Sequence, residues 1–150
     1  MAAIQRLKIA IKTSADAYAG TDAAVYLTLC TPAGGHTYQL PTEKEHLEAG
    51  QTDIYTVALA DAPGVSALQH VILSSGMDGR SPAWKILWVK IDALDATGRS
   101  WRIADTMLER WLQVKEGYAP LAFVPLKRPC EDLGATDVVG AAAATLARIP

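Results

Sequence analysis

A two-residue rhythm of apolar and polar positions dominates the chain. Leu7, Ile9 and Ile11 alternate with Lys8, Ala10 and Lys12, and Val25, Leu27 and Leu29 alternate with Tyr26 and Thr28. Such alternation puts one set of side chains on a core face and the other toward water or a second layer. Tyr55, Val57 and Leu59 continue the theme, with β-branched Ile54 and Thr56 between them. Leu68 to Leu73 is a short apolar run and Trp84 to Leu94 a longer one. Within the longer run, Leu87, Val89 and Ile91 fall on one face, and Ile86 and Trp88 on the other. Trp101 and Ile103 form a further pair. Turn-forming residues separate these runs at 19–22, 32–35, 61–64, 76–82 and 96–99. Short strands with regularly spaced turns predict an all-β fold, an antiparallel sandwich or barrel.

Two segments depart from the rhythm. Met107, Leu108, Trp111 and Leu112 have helical spacing, which predicts a short helix near 104–115. A loop followed by a strand through Trp111 and Val114 is the alternative. From Lys127 onward, Pro129, Gly134, Gly140 and the alanines at 141–144 read as an extended or weakly helical appendage. No internal repeat and no second domain is visible. The expected organisation is one domain over 1–126 and a C-terminal tail over 127–150.

Composition narrows the class. With 150 residues, 50% of them hydrophobic and 20% charged, the chain can bury a core without disulfides or a metal. Its net charge is −2, and no basic stripe is written along the sequence, which argues against nucleic acid as the main partner. The first eleven residues alternate where a signal peptide needs an unbroken apolar stretch. No run reaches the roughly 18 apolar residues of a membrane span. A soluble, cytoplasmic protein is the default expectation, with non-classical secretion left open. Cys30 and Cys130 are too far apart in sequence to form a disulfide framework and read as free thiols.

Catalytic signatures are missing. There is no Gly-x-Ser-x-Gly elbow, no phosphate-binding Gly-x-x-x-x-Gly-Lys-Ser/Thr and no His-Glu-x-x-His. His36 and His46 lie in polar turn segments, His70 lies in a strand-like run, and no base is placed beside Ser74 or Ser75. No catalytic residue is assigned. The carboxylates carry more information. Asp16 and Asp22 flank a glycine-containing loop, Glu43, Glu45 and Glu48 crowd a second, and Asp78 sits between Gly76 and Gly79 in a third. Calcium takes six to eight oxygens from carboxylates and loop carbonyls, and loops at one end of a sandwich can converge on one ion. The competing reading is a solvated acidic rim.

The residues then become recognisable. Ala19-Gly20-Thr21-Asp22-Ala23-Ala24-Val25-Tyr26-Leu27 resembles the opening of the PLAT domain, the polycystin–lipoxygenase–alpha-toxin module. Leu47-Glu48-Ala49-Gly50-Gln51-Thr52-Asp53-Ile54-Tyr55-Thr56-Val57 is similar to that family's second signature. Gly79-Arg80-Ser81-Pro82-Ala83-Trp84, Trp101-x-Ile103 and Trp111-Leu112 resemble its later elements, in the same order, from about Leu7 to Leu126.

The resemblance implies an antiparallel β-sandwich of two four-stranded sheets, similar in shape to calcium-dependent lipid-binding domains of the synaptotagmin type. In lipoxygenases, pancreatic lipase and clostridial alpha-toxin the module accompanies a catalytic domain and does no chemistry itself. It implies a binding module that associates with lipid or membrane surfaces with calcium (Ca2+) as cofactor. A protein-interaction or assembly role without lipid is the alternative, and a small hydrolase is a weaker third. Carried over by motif, Gly20 and Thr21 are carbonyl donors, and Asp22 and Glu48 are carboxylate donors. Glu45 and Asp78 also belong to the candidate set but match the family pattern less cleanly. Tyr18, Leu47 and Met77 are the candidate lipid contacts beside these loops. Asp53, at a strand start, reads as a carboxylate that fixes a turn through loop N–H groups. Trp84, Trp101 and Trp111 occupy positions the family uses for packing, and Trp88 is expected to be partly exposed. Oligomeric state is not legible.

Overall fold

The computed structural model describes residues 2–135 and 137–150. Ten strands follow one another: β1 (Ile4–Thr13), β2 (Val25–Thr31), β3 (Gly34–Gln39), β4 (Thr52–Leu59), β5 (His70–Ser75), β6 (Trp84–Asp95), β7 (Ser100–Leu112), β8 (Leu121–Val124), β9 (Glu131–Gly134) and β10 (Ala144–Leu146). They form a six-stranded sheet, β10-β4-β1-β6-β7-β9, and a four-stranded sheet, β3-β2-β5-β8. The eight strands through β8 make the expected four-on-four sandwich. The two tail strands widen one of its sheets.

The core is what the alternation predicts. Leu7, Ile9 and Ile11 of β1 and Val25, Leu27 and Leu29 of β2 are fully buried, as are Val71 and Leu73 of β5. Each such side chain contributes about 1.5–3 kcal/mol relative to exposure. Trp84 is also 0% exposed, and its indole N–H donates to the Thr13 hydroxyl at 3.0 Å. Trp101 and Trp111 are only half-buried. Cys30 and Cys130 are free thiols.

The helix expected near 104–115 is not formed, because that stretch belongs to β7. The misleading spacing comes from a β-bulge. Trp88 of β6 pairs with Met107, but two residues back Ile86 pairs with Arg110, three residues on. The extra residue sits where Glu109 adopts a left-handed φ of 46°. One inserted residue breaks period two and mimics the helical interval. A matching irregularity in β6 overturns the face assignment there. Lys12 pairs with Trp88 and Thr13 with Ile86, so Leu87 is the inserted residue. Ile86, Val89 and Ile91 therefore all point inward, while Leu87 does not join them in full burial.

The tail is extended and paired. β9 runs antiparallel to β7, with the Arg99–Asp132 ion pair at 2.8 Å beside it. β10 runs parallel to β4. Just beyond it, the Ile149 N–H donates to the Thr37 carbonyl of β3 at 2.8 Å. The C-terminal segment thus pairs along part of the outer edges of β7 and β4 and reaches that of β3 through one backbone bond. Covering an edge removes a row of unpaired backbone groups that would otherwise template association.

Candidate functional site at the loop end

Three connections meet at one end of the sandwich: residues 14–24 between β1 and β2, 40–51 between β3 and β4, and 76–83 between β5 and β6. Backbone bonds tie the first two together, Thr21 N–H to the Leu47 carbonyl at 3.2 Å and Gly50 N–H to the Ser14 carbonyl at 3.0 Å. Gly20 makes this approach feasible, since a β-carbon there would lie 2.8 Å from the Leu47 oxygen. The Thr21 hydroxyl donates to the Pro82 carbonyl at 2.9 Å and so links the first loop to the third.

Asp22 is the centre of that link. Its carboxylate accepts the Arg80 N–H at 2.8 Å and the Ser81 N–H at 2.9 Å. These two backbone donors, Arg80 first, hold its pKa below the ordinary 3.8. Gly79 turns the loop at a φ of 82°, and a β-carbon there would stand 2.4 Å from the Asp22 carboxylate. Asp78 returns the contact by accepting the Ala24 N–H at 2.8 Å. The two carboxylates interlock the loops in opposite directions. Asp53 fixes the turn as expected, accepting the Leu47 N–H at 2.9 Å and the Gln51 side-chain amide at 2.6 Å.

A cleft of about 500 Å³ opens between the loops, lined by Tyr18, Gly20, Thr21, Asp22, Glu48, Ala49, Arg80 and Ser81. It brings together four of the six residues expected at a metal. Neither the Gly20 nor the Thr21 carbonyl accepts any of the loop hydrogen bonds just described. Glu45 lines a separate cleft with His46, Gln51 and Asp53, and the Asp78 side chain is turned to Ala24. Among the described residues, no three His, Cys, Asp or Glu side chains are grouped to hold a metal. An ion in this cleft would thus have two carboxylates, with loop carbonyls and water completing its shell. That donor set suits a hard cation held weakly.

The candidate lipid contacts divide in the same way. Tyr18 is 93% exposed at the cleft mouth, and Met77 is half-buried in the third loop. Leu47 is only 1% exposed and belongs to the core, which corrects its expected role as a tip residue. Its apolar side chain finds the interior because the second loop folds back over the sandwich end. Tyr18, Leu47 and Met77 all have left-handed backbones, with φ of 61°, 58° and 54°. Arg80 and Ser81 went unassigned in the sequence, although Gly79 before them marks the turn that presents them. Near the second loop, burial pushes the Tyr55 hydroxyl well above its usual range. That hydroxyl lies 3.0 Å from His46 Nδ1.

This is a β-sandwich of two packed sheets, with three of its connecting loops gathered at one end. The match to the PLAT/LH2 domain family covers residues 7–124, and the chain belongs to that family. No curated protein sequence matches it. Among solved structures, it is similar to the alpha toxin from Clostridium absonum, at 18% identity and a TM-score of 0.64, over 81% of this chain and 31% of the toxin. It is also similar to coral 8R-lipoxygenase, described as calcium-activated through a C2-like domain, at 21% identity and a TM-score of 0.58. A calcium-dependent 11R-lipoxygenase aligns at 24% identity and a TM-score of 0.55. Each lipoxygenase match covers 81% of this chain but 17% of the enzyme. These likenesses are likenesses of fold. Among the described residues, no helix is long and apolar enough to cross a membrane.

Proposed function

We propose that this chain is a non-catalytic binding module whose loop end takes calcium and associates with lipid or membrane surfaces. The observation that carries the reading is the cleft uniting Asp22 and Glu48 with Gly20 and Thr21 beneath the exposed Tyr18 ring. Bound calcium would neutralise the acidic loops, which otherwise repel an anionic headgroup layer. Asp22 and Glu48 would hold the ion, and Tyr18 would enter the interface, where aromatic rings with a polar tip are favoured. The calcium-linked lipoxygenases that share the fold support the same direction. We place the binding unit in residues 1–126, with 127–150 as its edge-covering tail, and the cytoplasm as its default compartment.

Calorimetric titration with calcium tests this directly. Heat of binding is expected for the intact protein, with a large loss of affinity in Glu48→Gln, a change that leaves the Asp22 clamp in place. Absence of heat in the intact protein would remove the metal from the proposal. A second reading, a protein-assembly module, is favoured by the outer face of the four-stranded sheet. Phe123 there is 58% exposed and packs edge-on against His70. Light scattering that finds a concentration-dependent dimer, lost in Phe123→Ser, would favour it.

A further inference from the structure

The strands of the six-stranded sheet carry a charge pattern that the linear sequence hides. Across β4, β1, β6 and β7, residues in register form outward rows: Thr52–Lys12–Trp88–Met107, Ile54–Ala10–Lys90–Asp105 and Thr56–Lys8–Asp92–Arg102. Directly paired residues share a face, so Lys12 and Lys90 flank Trp88, and Lys8 stands two rows further along the same face. Ile54 is 58% exposed and Met107 59% exposed on its two sides. Asp92 is taken by the Arg102 guanidinium at 3.0 Å and cannot neutralise the lysines. Asp105, opposite Lys90, is the only other carboxylate in these rows. The Lys12 ammonium reaches the Gly50 carbonyl, so the cationic surface runs on into the loop end.

We infer that this sheet face is a second contact for an anionic bilayer surface, one that works without calcium. The inference rests on the lipid-surface reading above but not on its metal site. Charge complementarity points to an anionic partner, and the apolar residues among the lysines select a bilayer. Lysine stems lie along apolar surface while their ammonium groups reach outward, and tryptophan is favoured at the headgroup level. A bare phosphodiester backbone offers nothing for Ile54 or Met107. Continuity with the loop end lets a tilted module present both surfaces to one bilayer.

Co-sedimentation with vesicles tests the proposal, using phosphatidylcholine alone and phosphatidylcholine containing about one third phosphatidylserine, both in chelator at low salt. Expected is pelleting with the anionic vesicles only, reversed by high salt. Partitioning should fall roughly fivefold per lysine and about a hundredfold in Lys8→Gln/Lys12→Gln/Lys90→Gln. Ile54→Asp, at an exposed position, should weaken it with the thermal midpoint unchanged. Equal pelleting by the triple variant and the parent would overturn the proposal, as would no pelleting of the parent in chelator. Pelleting of the parent with calcium but not in chelator would leave the loop-end function standing while this face is ruled out. Binding to single-stranded DNA but to neither vesicle would point to another class of anion and also overturn it.

Discussion

The two sheets share one core and differ outside it. The strands of the four-stranded sheet, VYLTLCT, GGHTYQ, HVILSS and LAFV, contain no Asp, Glu, Lys or Arg. Their outward positions hold Tyr26, Thr28, Ile72 and Phe123, joined by neutral contacts such as the 2.9 Å Thr28–Thr37 hydroxyl pair. The six-stranded sheet carries most of its charges outward, among them the Arg102–Asp92 pair and three lysines, with Asp53 an inward exception. Stability therefore comes from the interior of both sheets, while their outer faces are free to diverge in what they recognise. One outer face is charged, and the other is neutral with an exposed aromatic ring.

The strongest way to break this comparison is at the shared core. Trp84→Ala should cost about 3–5 kcal/mol in chemical denaturation, and Phe123→Ala on the neutral outer face about 0.5 kcal/mol or less. Similar losses at both sites would mean that the outer face is itself packed. The next largest contrast sets the charged cross-strand pair against the neutral one. Arg102→Met strands the buried Asp92 carboxylate and should cost about 1–3 kcal/mol, whereas Thr28→Val should cost about 1 kcal/mol or less. Restoration by Asp92→Asn in the Arg102→Met background would assign the loss to the stranded charge.

Acid separates the regions more gently. Asp22, held by the Arg80 and Ser81 N–H groups, and Asp16, held by the Lys85 ammonium, both have pKa values below 3.8 in the folded chain. A depressed carboxylate contributes stability that is present above its unfolded value and lost as pH falls through the folded one. The melting temperature should stay level from neutrality to about pH 5 and decline below about pH 4. The four-stranded sheet has no carboxylate to protonate, so hydrogen exchange should show Arg80 and Ser81 losing protection before Val71 and Leu73. The reverse order would place the acid-sensitive groups elsewhere.

Much of this fold can be read from period two. β1, β2 and β4 lie where the alternation of Leu7, Val25 and Tyr55 places them, because regular strands transmit burial to every second residue. β7 escaped because Glu109 is an inserted residue, and a bulge is set by pairing with β6 rather than by local preference. The tail strands escaped for a related reason, since Ala144 and Thr145 have weak strand character and pair only because β4 offers an edge. At the loop end, the glycine-bounded motif located Gly20, Thr21, Asp22 and Glu48 in a common cleft. It did not reveal that both Asp22 oxygens hold the third loop, or that Leu47 turns inward. The lysine surface was illegible for a simpler reason. Lys8, Lys12 and Lys90 are scattered in sequence and meet only through register.

The edge covering by the tail also has a dimension in time. On a ribosome, β4 and β7 are complete long before β9 and β10 emerge, since β10 pairs with a strand finished about 85 residues earlier. Pairings between such distant segments form late because the intervening loop must first be closed. For that interval the nascent sandwich carries open hydrogen-bonding margins, and its vulnerability is to neighbours rather than to solvent. These later-emerging strands act as the step that turns a folded sheet into a finished one.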